Sequence, residues 1–195
     1  MQAQASAGQS FDGLEELVAR IDEAVRQPSV ERTARHLEKH LHELAEQGSV
    51  RLPPGLCVTC QGHYARRLLY RSPELGYVVV AMIWGPGQGT ALHDHAGSWC
   101  VEGVWSGDIE VTQYELLEED GGRCRFEARS NVHAGLGSAG SLIPPFEYHT
   151  IRNPAEETTA ITLHVYGHEM SQCSIFEPRS DGWYDRRTRD LSYDS

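Results

Sequence analysis

Two histidines one residue apart, His93 and His95, stand in the segment GQGTALHDHAGSWCVEGVWSG. In an extended strand, residues two apart point to the same face, so both imidazoles can reach one ion. A third histidine, His149, lies in the strand-like run PPFEYHTIRN. Neutral imidazoles suit iron, zinc or copper. A lone His-x-His is equally compatible with a pair of surface side chains, so the third histidine matters. A second pattern, Thr162-x-His164-x-Tyr166 in TTAITLHVYG, also places three polar side chains on one strand face. A hydroxyl can hold the imidazole, and the imidazole can hold the phenol. The plainer alternative is a polar ladder inside a barrel. In HYARRLLY, alternation sends Arg66 and Arg67 to opposite faces, so only one of them can look inward.

These side chains need strands to position them, and the chain supplies many. Residues 11 to 48 read as helical: Leu14, Leu17, Val18, Ile21 and Val25 recur at helical spacing, with Asp12 and Glu15 as a capping pair. Pro28 interrupts. A second helix carries Val30, Ala34, Leu37, Leu41 and Leu44, and Gly48 is placed to end it. From about residue 64, short β-rich runs alternate with turn segments such as SPELG, GPGQG, EEDGG and NPAEE. That rhythm predicts an all-β barrel or sandwich. The expected organisation is a disordered tail over 1–10, then a single domain over 11–195. Its helical part is 11–50 and its barrel 64–178, with the polar stretch after that a loosely held tail.

Composition excludes several classes. A net charge of −11 repels phosphate backbones, so nucleic acid is not an expected partner. The most apolar run, Tyr77 to Trp84, is strand-sized, and no membrane span is expected. The start, MQAQASAGQS, lacks the basic and apolar regions of a secretory signal. With five cysteines, an odd number, reduced thiols in the cytoplasm fit better than a disulfide framework. A monomer is expected.

Gly87, His93, His95 and Gly107 resemble the first cupin motif, and Gly140, Pro144, His149 and Asn153 the second. The resemblance implies a cupin: a double-stranded β-helix, or small jelly-roll barrel, bringing both segments onto one metal. Cupins usually place a glutamate ligand four or five residues after the second histidine, where this chain has Cys100; glycine is usual where Phe146 stands. Three neutral ligands leave the ion its full charge and open positions, which favour an anionic ligand such as a thiolate.

Over roughly residues 55 to 180 the chain resembles the cysteine dioxygenase family of thiol dioxygenases, of the arginine-bearing bacterial type. The resemblance implies one Fe(2+) per chain on His93, His95 and His149. It implies a Cys100–Tyr166 thioether, as in the animal enzymes, and a relay of Thr162, His164 and Tyr166, with threonine for the family's serine. It makes Arg66, beside Tyr64, the carboxylate-binding arginine. The implied reaction takes a small thiol and dioxygen to the sulfinic acid. Relatives preferring 3-mercaptopropionate usually have glutamine at the place of Arg66, so L-cysteine is the expected substrate. The alternatives are 3-mercaptopropionate or mercaptosuccinate, a zinc or manganese cupin isomerase, and a cupin that only senses a ligand.

Other signals carry less. Cys57 and Cys60 could be half a zinc site, but no second pair exists. His36 and His40 lack the glutamate of a metalloprotease helix and are expected in solvent. His63, His133 and His168 have no assigned role. Trp84, Trp99 and Trp105 are expected as barrel packing.

Overall fold

The structure, a computed structural model, describes residues 10–195, so the tail expected over 1–10 falls, apart from Ser10, outside the described residues. Two helices come first, α1 (Leu14–Val25) and α2 (Val30–Gln47). Each has one apolar face: Leu17, Ile21 and Ala24 are buried on α1, and Ala34, Leu37, Leu41 and Leu44 on α2. Ser29 caps α2 by accepting from Arg32 N, and Gly48 ends it in the left-handed conformation. The expected Asp12/Glu15 cap of α1 is not formed. Gly13 is the N-cap and no side chain caps the helix. Asp12 instead gives its carbonyl to the Arg51 N–H. Gly13 lies so close to Ser49 that an added Cβ would meet its carbonyl oxygen at 2.3 Å.

Eleven strands follow a short 3-10 turn at Pro54–Cys57. They are β1 (Ala65–Arg71), β2 (Val78–Trp84), β3 (Leu92–His93), β4 (Cys100–Ser106), β5 (Ile109–Asp120) and β6 (Arg123–Ala134). Then come β7 (Ala139–Leu142), β8 (His149–Arg152), β9 (Ala160–Tyr166), β10 (Gln172–Pro178) and β11 (Tyr184–Asp190). One sheet runs β1-β2-β9-β4-β7; the other closes on itself as β10-β11-β6-β5-β8-β3. All paired strands are antiparallel. Strand β11 corrects the expectation of a loose tail after 178. Its polar side chains bury little, and backbone pairing from Gln172↔Asp190 to Pro178↔Tyr184 orders it instead.

The five-stranded sheet is buried on both faces, and β2 shows why. Val79, Ala81 and Ile83 pack with the helices, whereas Val78, Val80, Met82 and Trp84 face the interior between the sheets. On β4, Val101 and Gly103 face the helices. An added Cβ on Gly103 would come within 3.1 Å of Leu41 Cβ, so α2 sits this close only over a glycine. The opposite parity, Cys100, Glu102 and Val104 on β4 with Thr162, His164 and Tyr166 on β9, turns inward. The helices therefore back the sheet that carries the polar triplet and fix it from outside.

Candidate metal centre

Two strand ends and the turn after one of them supply the centre. His93 closes β3, His149 opens β8, and the two pair directly across the ladder. His95 lies just past β3, so the His-x-His pair straddles a strand end rather than sitting within one. The turn that follows puts Ala96 at φ 51, and Asp94 accepts from the Ala96 and Ser174 N–H groups, which pins it. The ligand nitrogens of His93, His95 and His149 all lie within 4.8 Å of one another. Their ring centroids are 4.3 to 5.4 Å apart.

These residues fit a metal. His93 Nδ1 is 3.0 Å from Ala91 O and His149 Nδ1 is 3.1 Å from Glu147 O. A carbonyl only accepts, so each Nδ1 carries the proton and each Nε2 keeps its lone pair free for an ion. His95 Nδ1 is buried with no protein partner. Burial first, then the neighbouring imidazoles, pushes the pKa of His95 and of His149 well below the usual histidine value; burial also lowers that of His93. Neutral imidazoles packed this tightly are ligands in waiting.

Beside them runs the polar triplet. Thr162 and His164 are 0% and 2% exposed. Trp84 Nε1–H donates to Thr162 Oγ1 at 2.9 Å, and Thr162 Oγ1 is 2.7 Å from His164 Nε2. With one lone pair taken by the indole, Thr162 can point its own proton at Nε2. The imidazole proton then sits on Nδ1, 3.5 Å from Tyr166 Oη and 3.4 Å from Glu102 Oε2. Burial, with the Arg66 guanidinium nearby, holds His164 down at about 3. Tyr166 faces the cluster edge-on to His95, with ring centroids 5.6 Å apart. Cys100 lies opposite Tyr166 in the β4–β9 register, its Sγ 3.9 Å from His164 Nδ1.

Three residues here escaped the sequence reading. Trp84, taken there as packing, also holds the triplet's threonine and stacks on Tyr64 at 4.4 Å. Glu102 is buried, and burial raises its carboxyl to about 7. It also walls a second cavity of about 280 Å³ between β7 and β5–β6, lined mostly by apolar side chains such as Val104, Ile109 and Leu142. That cavity is roomier than the histidine cleft, but no metal-ligand cluster lies in it among the described residues. The third is Arg189, which joins Tyr64, Arg66, His93, His95 and Tyr166 in lining the histidine cleft, whose free volume is about 30 Å³.

Arg66 faces the cleft and Arg67 the opposite side, as alternation requires, yet both are buried. Arg67 donates to Val58 O and to Ser195 O. Arg66 gives one guanidinium N–H to Ser192 O and stacks over Tyr193, and its backbone N–H goes to Asp194. His40, expected in solvent, is buried against Arg20, Glu23 and Glu43. Cys57 and Cys60 are free thiols, as are the other three cysteines. His63 contacts Asp194 and His133 contacts Glu110. No described helix is long and apolar enough to cross a membrane.

A β-barrel of two antiparallel sheets with three histidines converging at one end defines a cupin-class protein with a candidate metal site. The family model for cysteine dioxygenase type I matches residues 59–179, and the chain belongs to that family. Cysteine dioxygenase type 1 from Rattus norvegicus and from Homo sapiens are each 23% identical over 106 residues. Those matches cover 52% of this chain and 50% of the relative, so the chain spans about half the length of the curated relatives it matches. A double-stranded β-helix protein from Klebsiella pneumoniae has 23% identity and a TM-score of 0.44, covering 62% of this chain and 86% of its own.

Proposed function

We propose that the protein is an iron-dependent thiol dioxygenase, with one Fe(2+) per chain held by His93, His95 and His149, acting on a small thiol carboxylate. The observation that carries this reading is the convergence of three neutral imidazoles, the Tyr166 hydroxyl and the Arg66 guanidinium on one cleft. Iron bound there would supply the redox chemistry that joins both atoms of dioxygen to sulfur. The thiol is oxidised, dioxygen is reduced, and no outside reductant is required.

The chain's own residues bind and orient. Arg66 offers its unused N–H groups to the substrate carboxylate, and its burial strengthens that charge-assisted contact. Tyr64, braced by Trp84, closes the same wall. His164 donates a hydrogen bond from its Nδ1–H to Tyr166 Oη, leaving the phenol O–H free to point into the cleft. Arg66 brings both charge and reach, which suits a carboxylate drawn close by a substrate that chelates through sulfur and amine. L-Cysteine is therefore favoured over 3-mercaptopropionate. Five unpaired thiols support a reducing, cytoplasmic setting. Oxygen uptake by the iron-loaded protein against a panel of thiols tests the reading. Uptake should require a thiol and disappear in His93→Ala, His95→Ala and His149→Ala; an iron-loaded wild type that oxidises no thiol would overturn it.

A further inference from the structure

Arg189 lies on β11 opposite Cys173 of β10, and β10 pairs in turn with β3 at Ile175↔His93. It lines both the histidine cleft and the recess outside it, and Tyr64 and Arg66 line the same two spaces. Among the described residues its guanidinium makes no ion pair and no hydrogen bond, whereas its neighbours Arg186 and Arg187 pair with Glu119 and Glu177. The acids close by are engaged elsewhere. Asp190 accepts from Gln172, Asp194 from His63 and the Arg66 N–H, and Asp94 from two backbone N–H groups. The Arg66 guanidinium likewise has no carboxylate partner among the described residues. Two unneutralised guanidiniums thus border one small cleft, in a chain whose net charge is −11.

An anion with two carboxylates can engage both of these guanidiniums at once, where an anion with one carboxylate can engage only one. Each guanidinium fork fits one planar carboxylate. Resting on the thiol dioxygenase reading, we propose that the cleft takes a thiol bearing two carboxylates, with Arg66 on one and Arg189 on the other, ahead of any monocarboxylic thiol. Arg189 is then a specificity-determining residue that leaves the chemistry at sulfur unchanged.

Two measurements test this. Succinate and propionate, which carry no thiol, are titrated into the metal-free protein by calorimetry. Succinate should bind about tenfold tighter, the lower end for a charge-assisted contact because Arg189 is exposed. Arg189→Gln should abolish that margin and Arg189→Lys should keep part of it. In turnover, mercaptosuccinate should exceed both L-cysteine and 3-mercaptopropionate in kcat/KM. Arg189→Gln should cut the mercaptosuccinate value about tenfold and the 3-mercaptopropionate value about twofold at most. Equal binding of the two acids, or an equal loss on both thiols, overturns the proposal. If no thiol is oxidised, the dioxygenase reading falls, while the succinate titration still decides whether Arg189 holds a second carboxylate.

Discussion

Thr162→Val keeps the shape of the side chain and deletes one hydroxyl that two buried groups share. In the native protein that oxygen accepts from Trp84 Nε1 at 2.9 Å and meets His164 Nε2 at 2.7 Å. Both partners are buried, Trp84 at 0% and His164 at 2% exposure, so water cannot readily replace it. Each of the two orphaned polar groups costs about 1–3 kcal/mol, so the substitution should destabilise by about 2–6 kcal/mol. For a chain of this size that is a fall of roughly 4–24 °C in Tm. Activity should fall further than stability, because His164 loses the contact that fixes its tautomer and Tyr166 loses its orienting partner. Thr162→Ser is the control. It keeps the oxygen and loses one methyl, worth about 1 kcal/mol. The assay pairs thermal unfolding with oxygen uptake under thiol saturation. A Val variant as stable and as active as the Ser variant would refute the hydrogen-bond chain and reduce the triplet to packing.

Arg66→Ala should lose about 1.5–3 kcal/mol of transition-state binding, read as roughly 10- to 150-fold in kcat/KM. Arg66→Gln should move relative preference from L-cysteine toward 3-mercaptopropionate, and steady-state kinetics on both thiols checks it. If Cys100 and Tyr166 form a thioether, intact mass after turnover will show a fraction lighter by two hydrogen atoms, absent in Cys100→Ser and Tyr166→Phe. Peptide maps with only free Cys100 would dismiss the cross-link. Glu102 keeps its proton up to about pH 7 in the folded protein because it is buried, against an ordinary value of 4.5. The native state then binds a proton that the unfolded chain releases in that window, so stability should fall as pH rises from 4.5 to 7. Glu102→Gln removes this penalty and should be more stable above pH 7 by on the order of 2–3 kcal/mol, measured by denaturant unfolding against pH.

The helices and most strands were legible because their apolar spacing is local. Leu37, Leu41 and Leu44 mark one helix face, and the inner and outer parities of β2 are written in one run of residues. The three histidines were legible by type and spacing, and in the structure their ligand nitrogens lie within 4.8 Å of one another. What stayed hidden depends on partners far along the chain. Trp84 read as packing because its hydrogen-bond acceptor, Thr162, lies 78 residues away. Glu102 sits in the apolar-looking run CVEGVW, and nothing nearby in sequence shows that it faces His164. Strand β11 was missed because YDRRTRD has no apolar alternation, and its order comes from backbone pairing with β10. Arg189 was lost with it. A charge in a polar tail gives no local sign that pairing will carry it to a cleft lined by His93.

Dioxygenation at this centre would place both atoms of one dioxygen molecule on a thiol sulfur. Turnover of the iron-loaded protein under oxygen-18 gas, with the product analysed by mass, tests it most directly. The expected product is a sulfinate in which both new oxygens carry the label, formed in step with oxygen uptake and lost in His149→Ala. A sulfinate with unlabelled oxygen from water, or a disulfide as the main product, would contradict it.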